Sequence, residues 1–355
     1  MMDRLSAMRA NFDAWQVDAL LLTSPANRRW ASGFSGSAAQ VLVTRDRALL
    51  ATASRYWARA EQAAPAYEIF RLTDGKEAMA NFLAQGGARI GIEARHVTLA
   101  QRDQLGGYEG ITWVSLAATV EPLRAVKSEE ELAAIRAAAR LTDAAVAQVP
   151  RLARPGVSER AVAWEIEKFM REAGAEAPAF DIIVASGPNS ALPHHHPGDR
   201  QLQAGDIVIV DLGAQVDGYK SDLTRTFYLG ETADDAFWSI YNTVSAAHQA
   251  AIAGIRQGVT GKTIDALARD LITTAGHGEH FGHGTGHGVG LEIHEEPRFS
   301  RLAADTPIPA GAVMTVEPGI YLPGYGGVRI EDLMLVAEDG AQYLSGAPQT
   351  PLIPV

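Results

Sequence analysis

Acids stand inside two stretches of this chain that otherwise read as apolar β-strand, and that conflict limits what the chain can become. Residues 205–230 run GDIVIVDLGAQVDGYKSDLTRTFYLG. Residues 207–215 form a β-branched run, Asp217-Gly218 is a favoured hairpin turn, and residues 221–229 make the return strand. A turn at 217–218 sets residue 211 opposite residue 224, so Asp222 lies diagonally across from Asp211 on the same face. Diagonal neighbours are about 7–8 Å apart, within reach of two carboxylates that share a cation pair. Aspartate is disfavoured in strands, and a buried carboxylate without a partner costs several kcal/mol. Taken alone, the hairpin fits a turn-adjacent Asp bonded to backbone equally well.

The second stretch tips that balance. Residues 313–336, VMTVEPGIYLPGYGGVRIEDLMLV, set two apolar strands around a Gly- and Pro-rich connection. Glu317 and Glu331 are equidistant from Gly324, so they are expected to face each other directly across the ladder. Two hairpins that each present an inward acid pair arise by chance far less often than one. Between them, residues 277–296 (HGEHFGHGTGHGVGLEIHEE) string together His277, His280, His283, His287 and His294 with interleaved glycines. Imidazole is the commonest metal ligand, and glycine lets backbone approach a crowded site. A His-rich loop by itself is often surface chemistry; with four acids beside it, the set suits a divalent cation. One divalent cation leaves half of the four negative charges uncompensated, whereas two neutralise them. Two cations about 3.5–4 Å apart activate water at neutral pH and polarise a carbonyl, and one acid can then move the proton. Other catalytic frames are missing: there is no HExxH, GxSxG or Walker A, and no Rossmann GxGxxG opening a helix after a strand. The GHGTGHGVG run mimics a Gly-rich loop, but its histidines fit phosphate cradling poorly.

Length and composition frame these motifs. A chain of 355 residues suits two domains, and 47% hydrophobic residues rule out wholesale disorder. The absence of cysteine removes disulfides, thiolate metal sites, Cys nucleophiles and iron–sulfur clusters. With 31 Lys+Arg against 42 Asp+Glu, a net charge of −11 argues against a nucleic-acid partner. No segment approaches the roughly 18 apolar residues of a membrane helix, and the N-terminus lacks a signal peptide's uninterrupted apolar stretch. A soluble cytoplasmic protein without a membrane partner is therefore expected. Residues 1–122 read as an α/β domain. A strand at 18–23 closes at a Ser24-Pro25 turn, a hairpin spans 40–52, Ser54 caps a helix, Asp74 starts another, and a strand covers 89–92. Residues 123–355 read as a larger α+β domain. Ser128 and Glu131 form a capping box that opens a long helix running to about residue 149, where Pro150 breaks it. Helices at 158–174, 234–256 and 260–275 follow. The order helix, helix, hairpin occurs twice, as in an internal duplication.

The ordered set VDLGA, SDLTRTF, GTGHGVGLEIHE, TVEPGIY and VRIED resembles the pita-bread metallopeptidase family. That family comprises aminopeptidase P, prolidase, methionine aminopeptidase and the non-metal creatinase. NRRWASGFSGS in the first domain is similar to the N-terminal domain of its proline-specific branch. The resemblance implies an α/β N-terminal domain (1–122) and an α+β C-terminal pita-bread domain of creatinase/aminopeptidase type (123–355) with a pseudo-twofold repeat. It implies that Asp211 chelates one metal, Asp222 and Glu331 bridge both, and His287 and Glu317 hold the second. Glu317 is also the implied acceptor of the water proton. His294 is implied to stabilise the gem-diolate at the scissile carbonyl, and His283 matches a histidine beside the ligands or the substrate. The family spacing of seventeen residues before Asp211 selects His194 from PHHHPGDR as a substrate-positioning residue, leaving His195 and His196 as bystanders. Arg329, on the substrate side, is implied to orient a bridging acid, and Arg298 matches a position that holds a substrate carboxylate. The implied cofactors are two divalent metal ions, with Mn²⁺ foremost for carboxylate-rich ligation and Co²⁺ or Zn²⁺ as alternatives. The implied activity is that of an Xaa-Pro aminopeptidase, which hydrolyses the Xaa-Pro bond at a peptide N-terminus. The alternative is an Xaa-Pro dipeptidase (prolidase) confined to dipeptides; a creatinase-like amidinohydrolase and a non-catalytic peptide-binding relative stand further behind. The implied partners are a small peptide with proline at its second position and a second copy of the chain.

Overall fold

The computed structural model describes residues 4–73 and 75–355. The chain divides into two units, one ending at Arg124 and one running from Ala125 to Val355. In the first, six strands form one sheet: β1 (Ala19–Leu22), β2 (Ala39–Thr44), β3 (Ala48–Ala53), β4 (Glu68–Leu72), β5 (Arg89–Glu93) and β6 (Thr112–Leu116), in the order β4-β3-β2-β1-β5-β6. The hairpin β2–β3 pairs antiparallel, while β1–β5 and β5–β6 are parallel. Leu21, Leu42, Leu49, Phe82, Ile90 and Trp113 supply its core.

Two local expectations in this unit change. Ser24-Pro25 is not a turn: Ser24 caps the helix Pro25–Ser32, accepting from the Asn27 N–H, with Pro25 in the first turn. Proline has no N–H to lose there, so the pair that reads as a breaker is a helix start. Ser54 opens a 3₁₀ turn, Ser54–Tyr56, rather than capping the helix Trp57–Ala63. Asp74 lies outside the described residues, and the helix beyond it spans Lys76–Leu83.

In the second unit, α1 (Glu129–Val146) begins with the capping box. The Glu131 N–H donates to Ser128 Oγ at 3.3 Å, and the Ser128 N–H donates to Glu131 Oε2 at 2.7 Å. It stops at Val146, earlier than expected, and Pro150 sits in the first turn of a separate short helix, Val149–Leu152. The longer helices that follow are α2 (Glu159–Glu172), α3 (Asp235–Gly254) and α4 (Gly261–Thr274). Helix pair and hairpin then recur: α1 and α2 precede the first hairpin, α3 and α4 the second. Among the described residues no helix is long and apolar enough to cross a membrane.

The strands of this unit are β7 (Ala177–Pro178), β8 (Ile183–Ser186), β9 (Ile207–Leu212), β10 (Ala214–Val216), β11 (Tyr219–Lys220), β12 (Leu223–Leu229), β13 (Gly286–Gly288), β14 (Glu295–Phe299), β15 (Val313–Val316), β16 (Gly319–Leu322), β17 (Gly326–Arg329), β18 (Asp332–Val336), β19 (Ala341–Tyr343) and β20 (Leu352–Ile353). Strand alternation sorts the first hairpin by face. Val208, Val210, Leu212, Leu223, Phe227 and Leu229 pack with Val146, Val162, Ile166 and Met170 of the helices. Asp211 and Thr224, directly paired, take the opposite face. Asp217 and Gly218 both have positive φ (45° and 67°), the geometry a two-residue hairpin turn demands.

Each hairpin keeps its register but opens where its acids lie. In the first, Asp211 pairs with Thr224 and Gln215 with Lys220, yet the ladder is interrupted at Gly213 and Asp222, where β9 gives way to β10 and β10 turns to pair with β7. In the second, Val316 pairs with Asp332 and Gly319 with Arg329. Glu317 and Glu331 do stand opposite each other, but no ladder joins them. The Glu317 N–H donates to Thr285 O at 2.7 Å and the Glu331 N–H to Thr224 O at 3.2 Å. Backbone that leaves its own partner must find another, and here that requirement stitches the two hairpins and the His287 strand together.

Glycine permits the close approach. A Cβ on Gly213 would lie 2.0 Å from Ser221 O and 2.9 Å from the Ala179 side chain. Gly213→Ala is expected to cost about 1–3 kcal/mol through overpacking against a backbone that cannot yield. Thermal unfolding checks it; a melting temperature equal to that of the wild type would contradict this account of the break.

Candidate metal centre

The opened hairpins leave Asp222, Glu317 and Glu331 pointing into one buried space, with Asp211 beside them. His287 reaches the same space on β13, which lies between β14 and β15. A Cβ on Gly286 would sit 2.0 Å from Thr315 O, so a glycine must precede His287 for this strand to fit. The His287 N–H donates to Thr315 Oγ1 at 3.0 Å. One ligand atom each from Asp222, His287 and Glu331 lies within 4.8 Å of the others. His287 Nε2 is 3.6 Å from Asp222 Oδ2 and 3.4 Å from Glu317 Oε1. His287 Nδ1 is 3.1 Å from Gly288 O. A carbonyl only accepts, so Nδ1 carries the proton and Nε2 turns a bare lone pair toward the acids.

Charge is the main feature of the site. Four carboxylates face one buried guanidinium, that of Arg329; Arg298, the other arginine lining the cavity, is half-exposed. Burial raises the carboxyls of Asp222 and Glu331 well above the ordinary range, and the neighbouring acids push them further. Burial also raises Asp211 against the pull of Arg329, and pushes Glu317 up to about 7. His287 is pushed down to about 4 by burial and by His294. Asp211 Oδ1 is buried without any hydrogen-bond partner. An orphaned carboxylate oxygen, a bare imidazole nitrogen and an excess of negative charge together fit a divalent-cation site with oxygen and nitrogen donors.

Arg329 is the organiser. Its Nη2 donates to Asp211 Oδ2 at 2.7 Å, Nε to Thr224 Oγ1 at 3.1 Å, and Nη1 to Tyr321 Oη at 2.8 Å and Pro193 O at 3.3 Å. The sequence reading gave it a bridging acid on the substrate side. Instead it is buried and holds Asp211, while Glu331 takes its hydrogen bond from Thr224 Oγ1 at 2.7 Å. Arg329 stands opposite Gly319 and also lines the cavity.

The five acid and histidine positions line a cavity of about 420 Å³ together with His194, His283, His294, Arg298 and Arg329. Phe180, Ile183 and Ile293 give it an apolar wall. His294 packs edge-on against His287, with ring centroids 4.4 Å apart. Arg298 is half-exposed, with only a loose ion pair to Glu296 at 3.6 Å. Among the three consecutive histidines, His194 lines the cavity, while His195 turns away to Glu159. His283 donates from Nδ1 to Gly284 O at 2.8 Å and accepts from Tyr321 Oη at 2.9 Å. Thr224, Thr315 and Tyr321 were missed from sequence. Each lies an even number of residues from a predicted ligand along a strand or its extension, and that parity was the available signal.

A strand-bent α+β unit carrying four acids, two buried and two partly buried, and a histidine around one cavity is the architecture of a metal-dependent hydrolase. The chain belongs to metallopeptidase family M24, whose model matches residues 133–338, and residues 4–126 match the Creatinase/Prolidase N-terminal domain. The Xaa-Pro dipeptidase of Pyrococcus furiosus is 44% identical over 226 residues, covering 64% of each chain. The structure of an Xaa-Pro dipeptidase from Bacillus anthracis superposes with a TM-score of 0.96 at 40% identity over 99% of both chains. That of an X-Pro aminopeptidase from Thermotoga maritima gives 0.89 at 34% identity, covering 98% of this chain and 100% of its own.

The pKa shifts give a pH dependence with a definite sign. Above about pH 7.5, a full unit beyond the ordinary histidine value, His283, His287 and His294 are largely neutral whether folded or unfolded. The carboxyls are all raised above their ordinary values, Glu317 to about 7, so the folded state keeps protons that the unfolded chain has released and loses stability as pH rises through the raised values. Metal-free protein is expected to melt at a lower temperature near pH 8.5 than near pH 7.5, with added Mn²⁺ restoring more at the higher pH. Thermal scans in EDTA and in Mn²⁺ measure both; a metal-free melting temperature that climbs across this window would contradict the charge account.

Proposed function

We propose that the chain is an Xaa-Pro dipeptidase, hydrolysing the bond between the two residues of an Xaa-Pro dipeptide with two divalent metal ions, Mn²⁺ foremost. The observation that carries this reading is the convergence of Asp211, Asp222, His287, Glu317 and Glu331 on one cavity that also contains an unsaturated Arg298. The sequence reading put the aminopeptidase first. Two features favour the dipeptidase: the higher structural similarity to a dipeptidase, and an arginine free to pair with the carboxylate that a dipeptide presents next to its scissile bond.

In this reading residues 123–355 carry the chemistry. Asp211 and Asp222 would hold one ion and His287 and Glu317 the other, with Glu331 completing the donor set. The oxygen-rich donor set suits Mn²⁺. A bound pair of such ions lowers the pKa of water and polarises the scissile carbonyl. Glu317 accepts the water proton and delivers it to the proline nitrogen. His294, beside His287 and open to the cavity, donates to the oxygen on which negative charge develops. Phe180, Ile183 and Ile293 exclude water from the apolar part of the substrate. Arg298 binds its terminal carboxylate, and His194 positions it from the opposite loop.

Two experiments test this. With Gly-Pro and Gly-Pro-Gly-Gly offered separately, the dipeptide is expected to be cleaved and the tetrapeptide refused; cleavage of the tetrapeptide would return the aminopeptidase reading, and activity persisting in EDTA the amidinohydrolase one. Elemental analysis separates ligands from the rest of the machinery. Asp222→Asn or Glu331→Gln is expected to lose most bound metal along with activity, whereas His294→Ala keeps the metal and loses turnover by roughly 10²–10³-fold. Full metal occupancy in Asp222→Asn, or near wild-type kcat in His294→Ala, would count against the roles given.

A further inference from the structure

His194, His195 and His196 are chemically identical neighbours, yet the fold gives each a different environment, and that difference assigns work to residues outside the cavity. Glu159, the first residue of α2, is fully buried. Its Oε1 accepts from the Ser186 N–H at 2.8 Å, Ser186 Oγ at 2.7 Å and Asn189 Nδ2 at 2.9 Å. Its Oε2 accepts from the Gly198 N–H at 3.2 Å and from His195 Nε2 at 2.8 Å. Burial works to raise this carboxyl, but the bonds from Asn189, His195 and Ser186 outweigh it and hold the group below its ordinary value. Arg200 backs the cluster, donating to Ser186 Oγ and to both oxygens of Asp206.

Ser186 and Gly198 are the two ends of the segment that leaves β8 and brings His194 to the cavity. One carboxylate therefore ties both ends of that loop. Inside it, three consecutive residues are fixed in three directions. The Pro193 carbonyl accepts from Arg329 Nη1 at 3.3 Å, His194 lines the cavity, and His195 points to Glu159. His196 is exposed. Rotating His195 away would remove the side-chain tie on one side of His194, leaving the Arg329 contact on the other and the backbone bond from the His195 N–H to Leu192 O.

We propose that Glu159 and His195 are positioning residues for the Xaa-Pro hydrolysis advanced above, acting through His194 to fix where its imidazole meets the substrate. The inference rests on that reading of function. Neither residue lines the cavity. A side chain that acts only through a second one has no effect once the second is gone, which a double-mutant cycle measures directly.

The experiment compares kcat/KM for Gly-Pro in the Mn²⁺-loaded wild type, His194→Ala, His195→Ala, the double variant and His195→Gln, with metal content measured in each. His195→Ala is expected to lower kcat/KM roughly 10–100-fold, the scale of a misplaced positioning group. His195→Gln, whose amide N–H can still reach Glu159, is expected to recover most of that loss. In the His194→Ala background, His195→Ala is expected to cause no further loss, and metal content is expected to stay at the wild-type level throughout. Wild-type kcat/KM in His195→Ala, losses that multiply in the double variant, or lost metal would overturn the proposal. Should His195→Ala fail to fold, Glu159→Gln replaces it in the same cycle under the same criteria. A wild type inert toward Gly-Pro would instead overturn the reading of function, so the two failures are distinguishable.

Discussion

Mutual repulsion among four crowded carboxylates, two of them buried and two partly buried, is the constraint around which the second unit is arranged. No folded chain gains from placing such groups together in the absence of counter-charge, because burial and proximity both oppose their ionisation. The fold meets that cost with rigid surroundings: helices packed behind the strands, hydroxyls from Thr224 and Thr315, and a single guanidinium. What remains unbalanced is the affinity for cations. Site and scaffold are two aspects of one electrostatic arrangement.

Both hairpins solve the same geometric problem. A continuous ladder would carry its side chains out perpendicular to the sheet at fixed spacing and commit its backbone groups to pairing within the hairpin. Opening the ladder at the acids while keeping register on either side lets the carboxylates turn inward, and the freed backbone N–H groups of Glu317 and Glu331 bond across to Thr285 and Thr224. The bends therefore serve the site, and the cross-bonds they require make the two halves of the unit depend on each other.

Much of this was legible in the sequence, for identifiable reasons. Asp217-Gly218 fixes the first hairpin's register because few dipeptides accept positive φ twice in succession. Acids inside IVIVDL and TVEP conflict with local propensity, and such conflicts mark sites. The capping box of Ser128 reads directly because it is a four-residue motif. Less legible was anything settled by distant partners. The opening of the second ladder depends on Thr285 and Thr224, the partner of Arg329 on β9, and the separate fates of the three histidines on Glu159, 36 residues away from His195. Ser24-Pro25 shows the same limit at short range, since one dipeptide can end a strand as a turn or start a helix.

The chain Arg329–Tyr321–His283 has a direction. Arginine can only donate, so the Tyr321 hydroxyl accepts from it and passes its own proton toward His283 Nε2; the other nitrogen of that ring is already committed to the Gly284 carbonyl. His283 thus meets anything in the cavity with carbon alone.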